Sequence, residues 1–113
     1  MYLHEQMEGA DGKTYPMAGV IKGKAYRTDH LVRFGYVELH GKRSREILKG
    51  HEFHYWDSTD SGGDYKAVKP DQSRSWECIH ETETLFAGYP HIHFYSNPGF
   101  ARTFKEKCSA YRL

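Results

Sequence analysis

The chain has no block of five or more like charges, and its 16 Lys and Arg nearly cancel its 15 Asp and Glu, leaving a formal net charge of +1. Nothing in that balance calls for a nucleic acid or an anionic membrane as partner, since both are held by dense positive charge. The short basic run Lys42-Arg43-Ser44-Arg45 reads as a solvated loop. No apolar stretch approaches the roughly 20 residues that span a bilayer, and the N-terminus lacks the charged-then-apolar pattern of a secretory signal. A soluble, cytoplasmic protein is therefore expected. Only two cysteines occur, Cys78 and Cys108, outside any CxxC pair, which argues against a disulfide framework or a zinc knuckle. Each is expected to be a small buried hydrophobe. No closely spaced glycines join a strand to a helix in Walker or dinucleotide form, so no nucleotide site is expected.

What the chain does have is rings. Aromatics make up 15% of its 113 residues, with nine Tyr and eight His, yet the mean hydropathy is −0.81. Aromatic and β-branched residues favour strands, so a β-rich chain with wet edges is expected, one domain at most. Met1 to Met7 reads as the tail of a helix, stopped by the glycine-rich turn at residues 8–12. The run at residues 15–21 contains Pro16 and suits an edge strand. Residues 24–28 and 34–39 look like further strands, joined by a turn or bulge at 29–33, and residues 41–46 form a polar loop. Residues 57–64 have the composition of a mobile surface loop. Residues 65–68 and 75–80 resemble a hairpin around Pro70-Asp71.

Two stretches concentrate the chemistry. In residues 87–98, an extended chain would put His91 and His93 on one face and Ile92 and Phe94 on the other, toward a core. Ser96-Asn97-Pro98 then opens a helix, whose Phe100, Ala101, Phe104 and Cys108 form an i, i+4, i+8 stripe expected to pack on the sheet. In residues 47–56, extension from His51 onward puts His51, Phe53 and Tyr55 on one face and Glu52, His54 and Trp56 on the other, with Glu52 and His54 side by side. Taken as residues alone, the histidines are open to two readings: hydrogen-bonded scaffold, or chemistry. His51-x-x-His54 and His91-x-His93 would each offer two metal ligands, without cysteine or a second-shell carboxylate. For thiol catalysis a base is at hand, but neither cysteine stands at a strand-to-helix elbow flanked by small residues.

Gly50-His51-Glu52-Phe53-His54-Tyr55, with Tyr89-Pro90-His91-Ile92-His93-Phe94-Tyr95-Ser96-Asn97-Pro98, resembles the C-terminal part of the cobyrinate a,c-diamide synthases. Pro16-Met17-Ala18-Gly19-Val20 and Gly35-Tyr36 are similar to that family as well, in the same order and at similar separations. The resemblance implies an α/β fold, α+β in the piece present: the C-terminal half of a class I type glutamine amidotransferase domain, β-rich with a C-terminal helix. Residues 1–113 would then be a single partial domain, without nucleophile elbow or ATP-binding domain. The parent enzymes use ATP, Mg and glutamine to amidate the a and c carboxylates of cobyrinate in cobalamin biosynthesis.

In that family the attacking cysteine sits in a Cys-Gly-Gly elbow shortly before a Tyr-Leu pair. Tyr2-Leu3 matches the pair, so the nucleophile is expected upstream of Met1 and the chain alone is expected to be inactive. His91 matches the histidine that activates the cysteine. Many class I amidotransferases place an orienting Glu two residues later, where this chain has His93. Glu52 is a candidate orienter if its strand adjoins, and His51 and His54 are candidates for support. No cofactor is expected in this chain itself. The expected partners are glutamine, cobyrinate and the missing N-terminal part of the enzyme, and exposed strand edges would favour self-association or domain swapping. The alternatives are a separately encoded, non-catalytic subunit that completes a site in trans, and a histidine-based metal-binding module.

Overall fold

The computed structural model describes residues 1–111. In chain order the strands are β1 (His4–Glu8), β2 (Thr14–Pro16), β3 (Ile21–Arg27), β4 (Arg33–Gly41), β5 (Ile47–His54) and β6 (Trp56–Ser58). There follow β7 (Tyr65–Val68), β8 (Ser75–Cys78), β9 (His80–Glu81), β10 (Phe86–Ala87) and β11 (His91–Ile92). A 3₁₀ turn at Phe94–Ser96 and the helix α1 (Pro98–Ala110) complete the order. Among the described residues sheets dominate, with one C-terminal helix, the β-rich arrangement that was expected. The chain divides into two compact units, Met1–Gly35 with Phe53–Ser61, and Tyr36–Glu52 with the residues from Gly62 on.

The first unit holds a sheet of order β2-β1-β3-β6, antiparallel except for the parallel pair β1 and β3. Residues 4–8 form a strand where helix was expected. Glu, Gln and Met favour helix on their own, but β1 is flanked on both sides, by β2 and by β3, and those two ladders satisfy its backbone better than an isolated helical turn does. The glycine turn is where it was expected: Gly9 N–H donates to the Lys13 carbonyl at 2.8 Å, and Gly12 takes a φ of 79°. Pro16 ends the edge strand β2. Ile21, Ala25 and His4 are buried here. His4 Nδ1 donates to the Met1 carbonyl at 3.1 Å, leaving Nε2 to accept from Ser58 Oγ at 2.6 Å. The strand β6 occupies part of the expected surface loop, because Trp56, Asp57 and Ser58 pair with Arg27, Tyr26 and Ala25.

The second unit is built on a sheet of order β11-β5-β4-β7-β8. The β7–β8 hairpin around residues 69–74 is as expected, with Val68 opposite Ser75 and Tyr65 opposite Cys78. Its core gathers Val37, Leu39, Leu48, Tyr65, Ala67, Cys78, Ile79 and Phe100, with Trp76, Phe86 and Ile92 packed against them. All of the core strand residues lie on one face of the sheet; Lys49, His51, Lys66, Glu77 and His91 lie on the other and are exposed. Tyr65, Phe86 and Phe100 form a chain of rings, with centroids 5.6 Å and 5.0 Å apart. Burial and nearby carboxylates push the Tyr65 hydroxyl above its ordinary pKa, so it stays protonated in the core.

Ile79 breaks the strand that residues 75–80 were expected to form. It is buried with a φ of 68°, a left-handed conformation that a β-branched residue adopts only where its surroundings demand it. Those surroundings are tight. Its carbonyl accepts from Asp64 N–H at 3.0 Å, and a Cβ on Gly62 would lie 2.3 Å from its carbonyl carbon.

The helix starts as expected but docks differently. Asn97 is its N-cap, accepting the Phe100 N–H at 3.0 Å, and Pro98 follows in the first turn. Phe100 is buried, whereas Phe104 is 44% exposed and Cys108 is exposed, so the expected stripe reaches the core only at its first residue. Each four-residue step rotates about 40° around a helix of 3.6 residues per turn, which carries position 108 roughly 80° away from position 100. Cys78 is buried and Cys108 is not, so the expectation of two buried thiols holds for one. Asn97 also donates through Nδ2 to Glu46 and to the Ile47 carbonyl. Asn97→Ala is expected to lower stability by about 1–2 kcal/mol. Denaturant midpoints compared with wild type check this, and an unchanged midpoint would show that the cap contributes nothing.

Candidate functional site

The site is assembled on the open face of the second unit, where β11 joins the edge of β5. Residues 87–98 were expected to run extended and then open a helix; the strand within them, β11, has two residues and lies at the sheet edge. The register pairs His91 with His51 and Ile92 with Gly50. Directly paired residues project from the same face, so the two imidazoles stand together on the exposed side while Ile92 turns into the core. Their ring centroids are 4.8 Å apart and the rings are tilted by 45°.

Three features hold β11 in this place. Gly50 allows the approach: a Cβ there would lie 2.3 Å from the His91 carbonyl oxygen, so no other residue fits without moving backbone. His93 N–H donates to the Lys49 carbonyl at 2.8 Å. Ser96 then bridges the two segments, its Oγ accepting from Lys49 N–H at 3.0 Å and donating to the His93 carbonyl at 2.6 Å. The sequence marked Ser96 only as part of a helix start and gave no role to Gly50. The signal that was available for Gly50 is a lone glycine inside a strand pattern, which indicates close backbone approach.

The other candidate residues are placed as follows. The ring of His93 is exposed and stands against Tyr95, with centroids 6.1 Å apart. Phe94, expected to face the core, is exposed because the chain has already turned into the 3₁₀ turn. Glu52 is buried on the core face, where its Oε2 accepts from the Trp76 indole N–H at 3.0 Å. Trp76 reaches it from β8 across the small Ala67, its partner on β7. The strand of Glu52 does adjoin that of His91, but Glu52 faces the other way, and the side chain beside His91 is His51. His54 lies in the first unit, where Nδ1 donates to the Trp56 carbonyl at 2.6 Å. Among the described residues, no group of three or more His, Cys, Asp and Glu is arranged to hold a metal ion. No helix among them is long and apolar enough to cross a membrane.

Of the two thiols, Cys78 projects into the core, away from the face that carries His91, and Cys108 lies far along α1. The arrangement supplies an accessible imidazole on a braced backbone, able to take a proton from a group brought over the open face and return it.

Comparison with known proteins identifies the domain to which this histidine-bearing face belongs. A model of the CobB/CobQ-like glutamine amidotransferase domain matches residues 1–99, and the chain belongs to that family. Over 105 residues it is 42% identical to the cobyrinate a,c-diamide synthase of Fusobacterium nucleatum subsp. nucleatum, covering 88% of this chain and 23% of that protein. The enzyme of the same name from Thermoplasma volcanium is 34% identical over 122 residues, covering 98% and 26%. That from Caldanaerobacter subterraneus subsp. tengcongensis is 30% identical over 119 residues, covering 98% and 26%. The chain thus spans about a quarter of the length of these curated relatives and matches their C-terminal part.

Gly50→Ala tests the bracing. It is expected to displace β11, abolish the ring-to-ring nuclear Overhauser effects between His51 and His91, and cost about 1–3 kcal/mol of stability. A folded variant that keeps those effects at wild-type intensity would show that the close approach at Gly50 is not required.

Proposed function

We propose that this chain supplies the histidine-bearing, C-terminal part of a glutamine-hydrolysing site whose ammonia is used to amidate the a and c carboxylates of cobyrinate. The observation that carries this reading is the family match over residues 1–99 together with His91, exposed on β11 and braced from β5. His91 acts as the base. Its imidazole takes the proton of an attacking thiol; the thiolate adds to the side-chain amide carbon of glutamine, and His91 returns the proton to the departing ammonia. Water then releases glutamate from the thioester, and the thiol is regenerated.

On this reading the thiol belongs to a part of the enzyme outside these 113 residues, since Cys78 faces the core and Cys108 lies near the far end of α1. ATP and Mg belong there too, because no glycine-rich phosphate-cradling loop occurs in the sequence. The whole enzyme works in the cytoplasm as an amide ligase of cobalamin biosynthesis. What this chain contributes is proton transfer and the platform beneath it.

The test is reconstitution. The chain alone should release no ammonia from glutamine above a His91→Ala control. Mixed with the separately produced upstream three-quarters of the Fusobacterium nucleatum relative, it should release ammonia, and His91→Ala should lower that rate roughly 100-fold or more. Equal rates for wild type and His91→Ala in the mixture, or glutaminase activity of the chain by itself, would contradict the reading.

A further inference from the structure

The same pair of imidazoles has a second capacity, and the geometry points to it. We propose that His51 and His91 form a two-imidazole binding site for a divalent late transition ion, Cu²⁺, Ni²⁺ or Zn²⁺, on the open face of the β5–β11 ladder. Two imidazoles that share one ion through nitrogens at about 2.0–2.1 Å, with bond angles of roughly 90–109°, place their ring centroids roughly 4.5–5.2 Å apart. The observed separation is 4.8 Å, and the rings are tilted by 45° rather than stacked in parallel.

The pair is also preorganised. Both residues are exposed, both sit on paired strands, and the backbone around them is fixed by the His93 to Lys49 hydrogen bond and by the approach at Gly50. Little order is lost when the second ring joins an ion held by the first, so the site gains from chelation. Sequence spacing pairs His51 with His54 and His91 with His93, whereas the register pairs His51 with His91. With two protein ligands the remaining positions are filled by water, which makes the site exchangeable and favours Cu²⁺ over Ni²⁺ and Zn²⁺. Other exposed imidazoles offer less: His40 Nε2 lies 2.7 Å from Glu38 Oε1, and His30 Nδ1 lies 3.1 Å from Asp29 Oδ1, each a single ring with one carboxylate. An ion on His91 occupies the lone pair that proton transfer uses, so metal binding and the role of His91 as base exclude one another. That consequence rests on the function proposed above; the binding site does not.

The experiment is a calorimetric titration of the 113-residue chain with Cu²⁺ and with Zn²⁺, paired with proton NMR of the imidazole Hε1 signals during the Zn²⁺ titration. A single equivalent should bind, and Zn²⁺ should shift His51 and His91 first. His51→Ala and His91→Ala should each weaken binding by about tenfold or more, and His40→Ala should leave it unchanged. Wild-type affinity in both single variants, or Zn²⁺ shifts at His40 or His30 as large as those at His51 and His91, would overturn the proposal. The readout needs neither glutamine nor a thiol, so it stands or falls separately from the reconstitution assay.

Discussion

The alternation of β5 is the constraint on which the second unit depends. Leu48, Gly50 and Glu52 are buried while Lys49 and His51 between them are exposed, so the strand has one admissible face toward the core. A slip of one residue would put Lys49 and His51 into the core and Leu48 into water, which burial alone forbids. With β5 fixed, β11 has one place to pair, and the pairing brings His91 beside His51. The site is thus a consequence of core packing on the opposite face.

Around that constraint the segment from β11 into α1 is fastened by short-range polar bonds. Ser96 and Asn97 each serve two elements. Ser96 ties Lys49 on β5 to the His93 carbonyl, and Asn97 caps α1 while reaching Glu46 and the Ile47 carbonyl. Hydrogen bonds of this kind contribute only about 1 kcal/mol each, yet they set position where apolar packing is thin. The packing beneath is supplied by Ile92 and Phe100, and by the ring chain through Phe86 to Tyr65. Function on this account needs a stiff platform at a sheet edge, and the two residues of β11 would not provide it unaided.

Much of this was legible from residue patterns. The alternation expected from His51 onward is present as far as His54, where β5 ends, and the hairpin about Pro70-Asp71, the edge position of Pro16 and the helix start at Asn97-Pro98 are local signals that the structure has. The family resemblance, carried by residues 50–55 and 89–98, agrees with the match over residues 1–99. What escaped depends on partners distant in sequence. Residues 4–8 become a strand because β2 and β3 flank them. Ile79 takes a positive φ because Gly62 and Asp64 pack around its carbonyl. Glu52 and His91 lie on adjoining strands but opposite faces, a relation that only register decides. Phe104 and Cys108 share a sequence stripe with Phe100, yet the helix turns them away from the core.

The central claim is that β5 and the β11–α1 segment form one braced platform for His91, and amide hydrogen exchange tests it directly. The N–H groups of His93 and Lys49 both cross between the segments, donating to the Lys49 carbonyl and to Ser96 Oγ. The account expects both to exchange slowly relative to unstructured peptide, and to lose protection together when Ser96 is replaced by Ala. Exchange of both at the rate of unstructured peptide in the wild-type chain would mean that the platform does not exist.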